Sequence, residues 1–246
     1  IQGDESLKER LPFVKAGLPG VFVTPDVTPY KKRKVRILNG AHTAFVPGSW
    51  VAGFDIVRDC MHDETIRGFM NTMLYDEVIP TLAADLDVED CKAFAAAVEN
   101  RFDNPFIDHA LLSICLNSTA KWRARDLPTL KDYVAETGNL PKCLSTSLAT
   151  LIAFYTQELV AREGDGLHLR RADGTEYTAQ DDAFVLDFYA AHAGVDDAEL
   201  VHDVLTNEQM WGEDLTQIAG LEEFVVNALA VVRAEGVKQA FANAQA

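Results

Sequence analysis

The sequence predicts a mainly α-helical fold: a multihelical domain over residues 28–246 that carries one small β-hairpin. Two apolar stripes with helical spacing predict helices that face a common core. They are formed by Leu111, Leu112, Cys115 and Leu116, and by Leu144, Leu148, Leu151, Ile152 and Phe154. The hairpin is predicted by an alternating segment, residues 167–171, which is followed by a turn at Gly174 and a second β-rich segment.

The first 27 residues differ from the rest of the chain. A short amphipathic segment, SLKERLPF, leads through Gly17 and Gly20 to residues 21–24, which are β-rich and bounded by turn residues. The sequence starts at Ile1 without an initiator methionine, and no secretory signal pattern follows it. We therefore expect a chain that begins within a longer protein.

The first long helix is expected to start at Thr28-Pro29, since proline is favoured in the first helical turn, and to end at Pro47-Gly48. Acidic and amide side chains mark the starts of later helices. The expected caps are Asp63, Asp87 and Asp103 or Asn104. The expected helices cover residues 49–60, 63–78, 87–101, 104–122, 127–137 and 143–162, then 180–192, 196–206 and 217–243 after the hairpin, with Asp181-Asp182 as a further cap.

Composition limits the classes of function. The formal net charge of −16 opposes general nucleic-acid binding, because a polyanion would be repelled by most of the surface. No apolar run reaches the length of a membrane span, so no membrane association is expected. Four widely spaced cysteines without a CxxC pair predict reduced thiols in a cytoplasmic protein rather than a disulfide framework or a zinc site.

The most unusual segment is KKRKVRILNGAH, residues 31–42, which is strongly basic in an acidic protein. On an α-helix, Asn39 lies about 140° and His42 about 80° from Lys34, so the three side chains share one broad face. Gly40 weakens such a helix by roughly 1 kcal/mol, which is tolerable if a ligand or another backbone approaches closely there.

This face has the groups needed to reduce a carbonyl. Asn39 and His42 would hold the developing alkoxide by hydrogen bonds, and Lys34 would donate the proton, or accept it in the oxidising direction. The role of Lys34 requires a pKa that is lowered by desolvation and by neighbouring cations. From spacing alone, a solvated helix face is the competing interpretation, and Lys32, Arg33 and Arg36 are expected to shape the field or to meet solvent.

The motifs of the chain resemble those of a known family. Lys34-x4-Asn39-x2-His42 is similar to the catalytic pattern of the polyol-specific long-chain dehydrogenases, the mannitol dehydrogenase family. The fuller segments RKVRILNGAHT (33–43) and LLSICLNSTAKW (111–122) resemble the tagaturonate reductase branch of that family, and RFDNPFI (101–107) resembles a general family segment. The resemblance covers nearly the whole chain, from about residue 5 onwards.

The resemblance implies an NAD-dependent, metal-independent oxidoreductase that acts on an aldonate or keto-uronate in hexuronate catabolism. It implies a helical domain like the C-terminal domain of 6-phosphogluconate dehydrogenase, preceded by a Rossmann-type domain. No GxGxxG motif occurs in this chain. Residues 1–27 are accordingly expected to be the tail of that nucleotide-binding domain, with residues 21–24 as its last strand. The chain alone is expected to bind NADH poorly.

Site residues follow from the same resemblance. Lys34 is the general base, Asn39 and His42 form the oxyanion site, and Lys121 matches a lysine that contacts substrate hydroxyls. Mannitol-type members carry an arginine where this chain has Ser113, and this departure favours an aldonate. The partner of the substrate carboxylate remains open, with Arg123, Arg125 and Lys31 as candidates.

Alternatives remain at this level. The first alternative is an enzyme of the fructuronate reductase or mannitol dehydrogenase type. The second is a non-catalytic helical interaction module. The choice between NAD and NADP is not visible in this part of the sequence. His62-Asp-Glu64 is expected to be a charge cluster at a helix start rather than a metal site. The remaining histidines, His109, His168, His192 and His202, are expected to be structural or exposed.

Overall fold

A buried helix, Lys142–Tyr155, forms the centre of the fold, and every residue of it after Lys142 is buried. The computed structural model describes the backbone of residues 1–246 and all side chains except those of Glu5 and Lys8. The α-helices in chain order are α1 (Glu5–Arg10), α2 (Pro12–Lys15), α3 (Thr28–Arg33), α4 (Gly40–Val51), α5 (Val57–His62), α6 (Glu64–Thr72), α7 (Val88–Phe102), α8 (Leu111–Ile114), α9 (Ser118–Arg125), α10 (Leu127–Thr137), α11 (Lys142–Tyr155), α12 (Ala183–Ala191), α13 (Asp197–Leu205), α14 (Glu208–Trp211), α15 (Leu221–Glu235) and α16 (Val237–Gln245).

Shorter helical segments of other types connect some of these helices. The π-helical segment Lys34–Asn39 joins α3 to α4, so that the chain is helical without a break from Thr28 to Val51. A second π-helical segment, Met73–Val78, extends α6, and 3₁₀ turns cover Pro80–Leu82 and Leu215–Gln217. No helix in the described chain combines the length and the apolar surface that a membrane crossing needs.

Helices α4, α15 and α16 pack around α11. The approach of α4 to α11 depends on Gly48, where a β-carbon would lie 2.7 Å from the Phe241 ring of α16 and 3.0 Å from Thr150 Cβ of α11. Phe241 also stacks on Phe69 of α6, with ring centroids 3.8 Å apart. Helices α4 and α11 are apolar around most of their circumference, as a helix buried on all sides requires.

The β-structure is one antiparallel sheet with strands β1 (Glu158–Glu163), β2 (Gly166–Arg170) and β3 (Glu176–Ala179), in the order β1-β2-β3. Leu169 pairs with Tyr177 on the buried face, and the Tyr177 hydroxyl donates to the carbonyl of Phe154 at 2.5 Å. Tyr177 also meets Trp50 edge to face. The sheet therefore covers one end of α4 and α11.

The predicted hairpin and the helix of residues 127–137 are confirmed. Asp63 and Asp87 cap α6 and α7 as expected, since their carboxylates accept hydrogen bonds from backbone N–H groups of the first turn. The mainly helical fold class is confirmed as well. All four cysteines are buried and free.

Several expected boundaries are wrong. Pro47-Gly48 lies inside α4. The expected helix of residues 49–60 is divided between the end of α4, a turn and the start of α5. The expected helix of residues 104–122 is divided into a loop, α8 and α9, because Asn117 adopts the left-handed conformation with φ of 53°. The expected helix of residues 217–243 is two helices that meet at Gly236, where φ is 91°.

Other corrections concern strands and caps. Residues 158–162, expected at the end of a helix, form β1 because they pair with β2. Residues 21–24 form no strand, and Thr24 makes only an isolated parallel bridge to Gln2. Asp103 is the C-cap residue of α7 and Asn104 accepts from the N–H of Phe106, so neither caps the start of a helix. Asp181 does not cap α12, since it accepts hydrogen bonds from Thr119 N–H and the Tyr155 hydroxyl.

Candidate active site

The π-helical segment changes the geometry that the sequence predicts for Lys34 and Asn39. In an α-helix these side chains would point about 140° apart. A π-helix forms i→i+5 hydrogen bonds, so residues five apart lie much closer to the same face than in an α-helix. His42 follows three residues later, in the first turn of α4. The structure therefore presents Lys34, Asn39 and His42 on one side of a continuous helix.

Asn39 is held through its backbone carbonyl. The carbonyl oxygen accepts a hydrogen bond from Thr43 Oγ1 at 2.9 Å and a longer one from Arg125 Nη1 at 3.4 Å. Arg125 Nη1 also donates to Thr43 Oγ1 at 3.0 Å. The Asn39 side-chain amide makes no hydrogen bond to any described residue, so it remains available to a ligand.

His42 lies in an aromatic environment. Its ring stacks on Phe102 with centroids 4.0 Å apart and meets the edge of His109 at 5.6 Å. Burial, together with the smaller effects of the charges of His109, Arg125 and Lys121, lowers the pKa of His42 to about 3. The imidazole is therefore neutral near pH 7, and its Nε2 atom is buried without a partner among the described residues.

Helix α9 presents two cations towards this face. Lys121 and Arg125 are four residues apart and so lie on the same side of α9. Lys121 Nζ donates to the carbonyl of Ile114 at 2.9 Å. Burial lowers the pKa of both side chains, and the positive charge of Arg125 adds to the effect on Lys121. The left-handed Asn117, which precedes α9, sets the direction in which this helix leaves α8.

Gly40 is required by the close approach of a side chain. A β-carbon at Gly40 would lie 2.8 Å from Asp126 Oδ1. Asp126 is buried, and burial raises its pKa well above the usual value although the positive charge of Arg125 acts in the opposite direction. The sequence predicts an approaching ligand or backbone at Gly40. In the described structure that space is taken by the Asp126 carboxyl group.

The cationic side chains of the segment KKRKVRILNGAH lie in different environments. Lys32 forms an ion pair with Asp85 at 2.6 Å. The Arg33 guanidinium lies over the Phe94 ring at 4.7 Å. Arg36 does not meet solvent: it is buried and pairs with Asp132 of α10 at 2.6 Å. Lys34 and Lys31 are exposed, so this chain by itself does not supply the desolvation that the proposed role of Lys34 requires.

The candidate residues for a substrate carboxylate lie in different places. Arg123 is exposed, and its guanidinium covers Gly212 near α14. Ser113 is exposed on α8, and its hydroxyl donates to the Ala110 carbonyl at 2.7 Å. Of the three candidates, Arg125 is the one whose side chain contacts the helix that carries Asn39 and His42.

Sequence reasoning missed two members of the site. His109, expected to be structural or exposed, is exposed but also lies against the His42 ring, and its only sequence signal is its position two residues after the RFDNPFI segment. Asp126 has no signal beyond a place between two helices. His192 and His202 have structural partners, Asp203 and Glu222. Within the described side chains, no group of three or more His, Cys, Asp or Glu is arranged to hold a metal ion.

Curated proteins named altronate oxidoreductase are similar in sequence to almost the whole of this chain. The altronate oxidoreductase of Escherichia coli O17:K52:H18 (strain UMN026) is 42% identical over 98% of this chain, and that of Enterobacter sp. (strain 638) is 41% identical over the same share. The aligned region is 48% of each relative. The chain thus spans about half the length of the curated relatives it matches.

Solved structures show the same fold. A ternary complex of Pseudomonas fluorescens mannitol 2-dehydrogenase with NAD and D-mannitol matches 92% of this chain and 42% of its own length, with a TM-score of 0.76 and 22% identity. A D-sorbitol dehydrogenase in substrate-free form matches 94% of this chain and 43% of its own, with a TM-score of 0.73 and 20% identity. The family described as mannitol dehydrogenase C-terminal domain matches residues 26–233. The chain therefore belongs to the mannitol dehydrogenase C-terminal domain family.

Proposed function

We propose that this chain is the C-terminal, substrate-binding half of an NAD-dependent tagaturonate reductase, which interconverts D-altronate and D-tagaturonate in hexuronate breakdown. One observation carries the proposal: the π-helical segment aligns Lys34 with Asn39, immediately before a neutral His42. The relatives named altronate oxidoreductase support this substrate. Because they are about twice as long, we assign residues 1–27 to the junction with a nucleotide-binding half.

Each of the three residues has a distinct part in the proposed reaction. The Asn39 amide and the neutral His42 imidazole donate hydrogen bonds to the substrate oxygen as it gains negative charge. A pKa of about 3 makes His42 unsuitable as a proton donor near pH 7, and this leaves that task to Lys34. Since Lys34 is exposed here, its shielding from water would come from the nucleotide-binding half.

We place the dinucleotide site in the nucleotide-binding half rather than in the described residues. They contain no parallel strand pair joined by a helix with a glycine-rich start, which is the arrangement that holds a pyrophosphate. In the proposed enzyme, the nucleotide-binding half would hold NAD, and the bound cofactor would supply the hydride for reduction of the substrate or accept it in the oxidising direction. Four free, buried cysteines support a reducing compartment, the cytoplasm, for the whole protein.

The test requires a form that contains both halves, for example this chain fused to the N-terminal half of the Escherichia coli relative. NADH oxidation is measured with tagaturonate, fructuronate and fructose as competing substrates. We expect the highest kcat/KM with tagaturonate. Replacing Lys34 by Ala should lower kcat by about 10²- to 10⁴-fold, the usual contribution of a general acid or base.

Lys32→Ala is the matched control, because Lys32 lies two residues away and pairs with Asp85 outside the candidate site. It should leave kcat within about twofold of the unsubstituted form, since an exposed ion pair contributes little. Unchanged turnover in Lys34→Ala would contradict the assignment of the base. A preference for fructose would contradict the assignment of the substrate, and absence of turnover with all three ketoses would contradict the enzyme assignment.

A further inference from the structure

Two half-buried cations of α9, Lys121 and Arg125, have no carboxylate within ion-pair distance in the described part of the chain. This is unusual in a protein with 38 acidic and 22 basic side chains. Partial burial of a cation costs free energy that a nearby anion normally offsets. Both cations are also close enough to His42 to lower its pKa. They therefore stand beside the candidate active site. The nearby carboxylates whose charge acts on them, Asp181 on Lys121 and Asp126 on Arg125, form no ion pair with them among the described side chains.

Arg125 is only partly used by the protein. A guanidinium has five N–H donors, and Nη1 supplies the contacts to Asn39 and Thr43. The N–H groups on Nε and Nη2 have no acceptor among the described residues. The contacts of Nη1 fix the guanidinium against the helix that carries Asn39 and His42, while the other two nitrogens remain available. A fixed guanidinium edge of this kind matches the two oxygens of a carboxylate.

The neighbouring acidic residue does not neutralise this pair. Asp126 follows Arg125 in the sequence, but its carboxyl group is directed at Gly40, and no ion pair joins it to Arg125. Burial raises the pKa of Asp126, and this favours its neutral form. Ser113 on α8 carries no charge, and its exposed hydroxyl donates to the Ala110 carbonyl.

We propose that Arg125, with Lys121 beside it, binds the carboxylate of the substrate and so selects sugar acids over neutral sugars. The inference rests on the proposed function and names the residue that sets its substrate class. Arg125 would hold the acid end of the substrate through Nε and Nη2, while Asn39 and His42 hold the oxygen at the reacting carbon. This inference rests on the position of Lys121 and Arg125, which form no ion pair, next to the neutral His42 imidazole.

The experiment compares carboxylate-bearing and neutral ketoses in the form that contains both halves. The measured quantity is the ratio of kcat/KM for a keto-uronate, tagaturonate or fructuronate, to kcat/KM for fructose. Arg125→Gln should lower this ratio by about 10- to 100-fold, the value of a lost charge-assisted hydrogen bond, mainly through KM for the uronate. Arg125→Lys should restore part of it, since the charge is kept without the two-point geometry.

Arg123→Gln is the matched control, because Arg123 lies on the same helix but is exposed and covers Gly212. It should leave the ratio unchanged. Arg125 also anchors Asn39, and a purely structural role would lower kcat/KM for both classes of ketose equally. An equal loss, or a loss in kcat alone, would overturn the proposal.

Failure of the proposed function gives a different result. If the unsubstituted form reduces fructuronate but not tagaturonate, the assigned substrate is wrong, while the ratio for Arg125→Gln still tests the carboxylate site. If it reduces only neutral ketoses, both the proposed substrate and the carboxylate site are overturned. Direct titration of this chain with D-altronate and with the neutral polyol D-altritol adds an arm that is independent of NADH. Equal affinity for the two compounds would also overturn the carboxylate site.

Discussion

Gly40 and Asp126 are 86 positions apart in sequence, yet a β-carbon on Gly40 would lie 2.8 Å from Asp126 Oδ1. The contact joins the start of α4 to the junction of α9 and α10, so it fixes the helix of Asn39 and His42 against the helix of Lys121 and Arg125. The distance between these two helices of the candidate site therefore depends on the lack of a side chain at residue 40.

The first prediction concerns Gly40→Ala. The added methyl group should displace the buried Asp126 carboxyl and lower the free energy of unfolding by about 1–3 kcal/mol, as overpacking of a core does. Denaturant unfolding measures the effect. In an Asp126→Ala background the space is free, and the same change should become neutral or stabilising by up to about 1 kcal/mol, the helix propensity of Ala over Gly. Equal effects in the two backgrounds would show that the two residues are not coupled.

The second prediction concerns Glu77, whose carboxylate accepts backbone hydrogen bonds from Cys143 at 2.7 Å and Leu144 at 2.9 Å at the start of α11. Burial raises the pKa of Glu77 to about 7 from an ordinary value of 4.5. The folded state therefore binds this proton more tightly than the unfolded state. Its contribution to stability is full below pH 4.5 and decreases as the pH rises towards 7, by up to about 3 kcal/mol.

Glu77→Gln isolates this contribution, because Gln has a similar size and does not titrate. The difference in unfolding free energy between the unsubstituted chain and Glu77→Gln, measured by urea unfolding at several pH values, should shift in favour of the Gln variant from pH 4.5 to 7. A difference that is constant over this range would show that Glu77 has the same pKa in the folded and unfolded states.

The third prediction concerns the protonation of His42. Since its pKa is lowered to about 3, its ring signals in NMR spectra of the folded chain should not move between pH 5 and 8. The same histidine in urea should titrate near the usual value of about 6.5. His42→Gln identifies the signals by their disappearance. A titration of His42 near pH 6.5 in the folded chain would remove the argument that this ring only donates hydrogen bonds in the proposed reaction.

The fourth prediction concerns the left-handed conformation of Asn117, with φ of 53°. Asn117→Ala should destabilise the chain by about 1 kcal/mol, because a β-carbon without a polar group is disfavoured in this region. Asn117→Gly should be neutral, since glycine has no such penalty. Thermal unfolding of the two variants provides the comparison, and equal destabilisation would mean that the effect comes from the lost side chain instead of the backbone.

A structural feature was predictable from the sequence when the residues that cause it lie within the same helix or turn. Asp63 and Asp87 were predictable because a cap acts on the first turn of its own helix. The pairing that forms β1 was not predictable, since residues 158–162 carry apolar side chains that also suit a helix end and only their contact with β2 decides. Pro47 and Gly48 were misleading because the packing of α4 against α11 outweighs their helix-breaking tendency.

The candidate site also combines features with a local cause and features that depend on distant segments. The residue types and spacing of Lys34, Asn39 and His42 were visible in the sequence, but their alignment depends on a π-helical segment that leaves no local pattern in these residues. The Arg36–Asp132 ion pair and the contact between Asp126 and Gly40 link segments far apart in the chain. Such contacts become visible only when the helices are packed, which is why Arg36 was expected to shape the field or meet solvent and Asp126 was not considered.

The position of Phe241 has a consequence for the order of events during protein synthesis. This residue of α16 fills the space over Gly48 and stacks on Phe69, so α4 and α6 are covered in part by a helix that follows them much later in the chain. The ribosome will therefore have released α4 and α6 well before α16 is made. Nascent α4 and the apolar face of α6 are therefore without this cover until α16 is made, which makes them segments on which a chaperone would act.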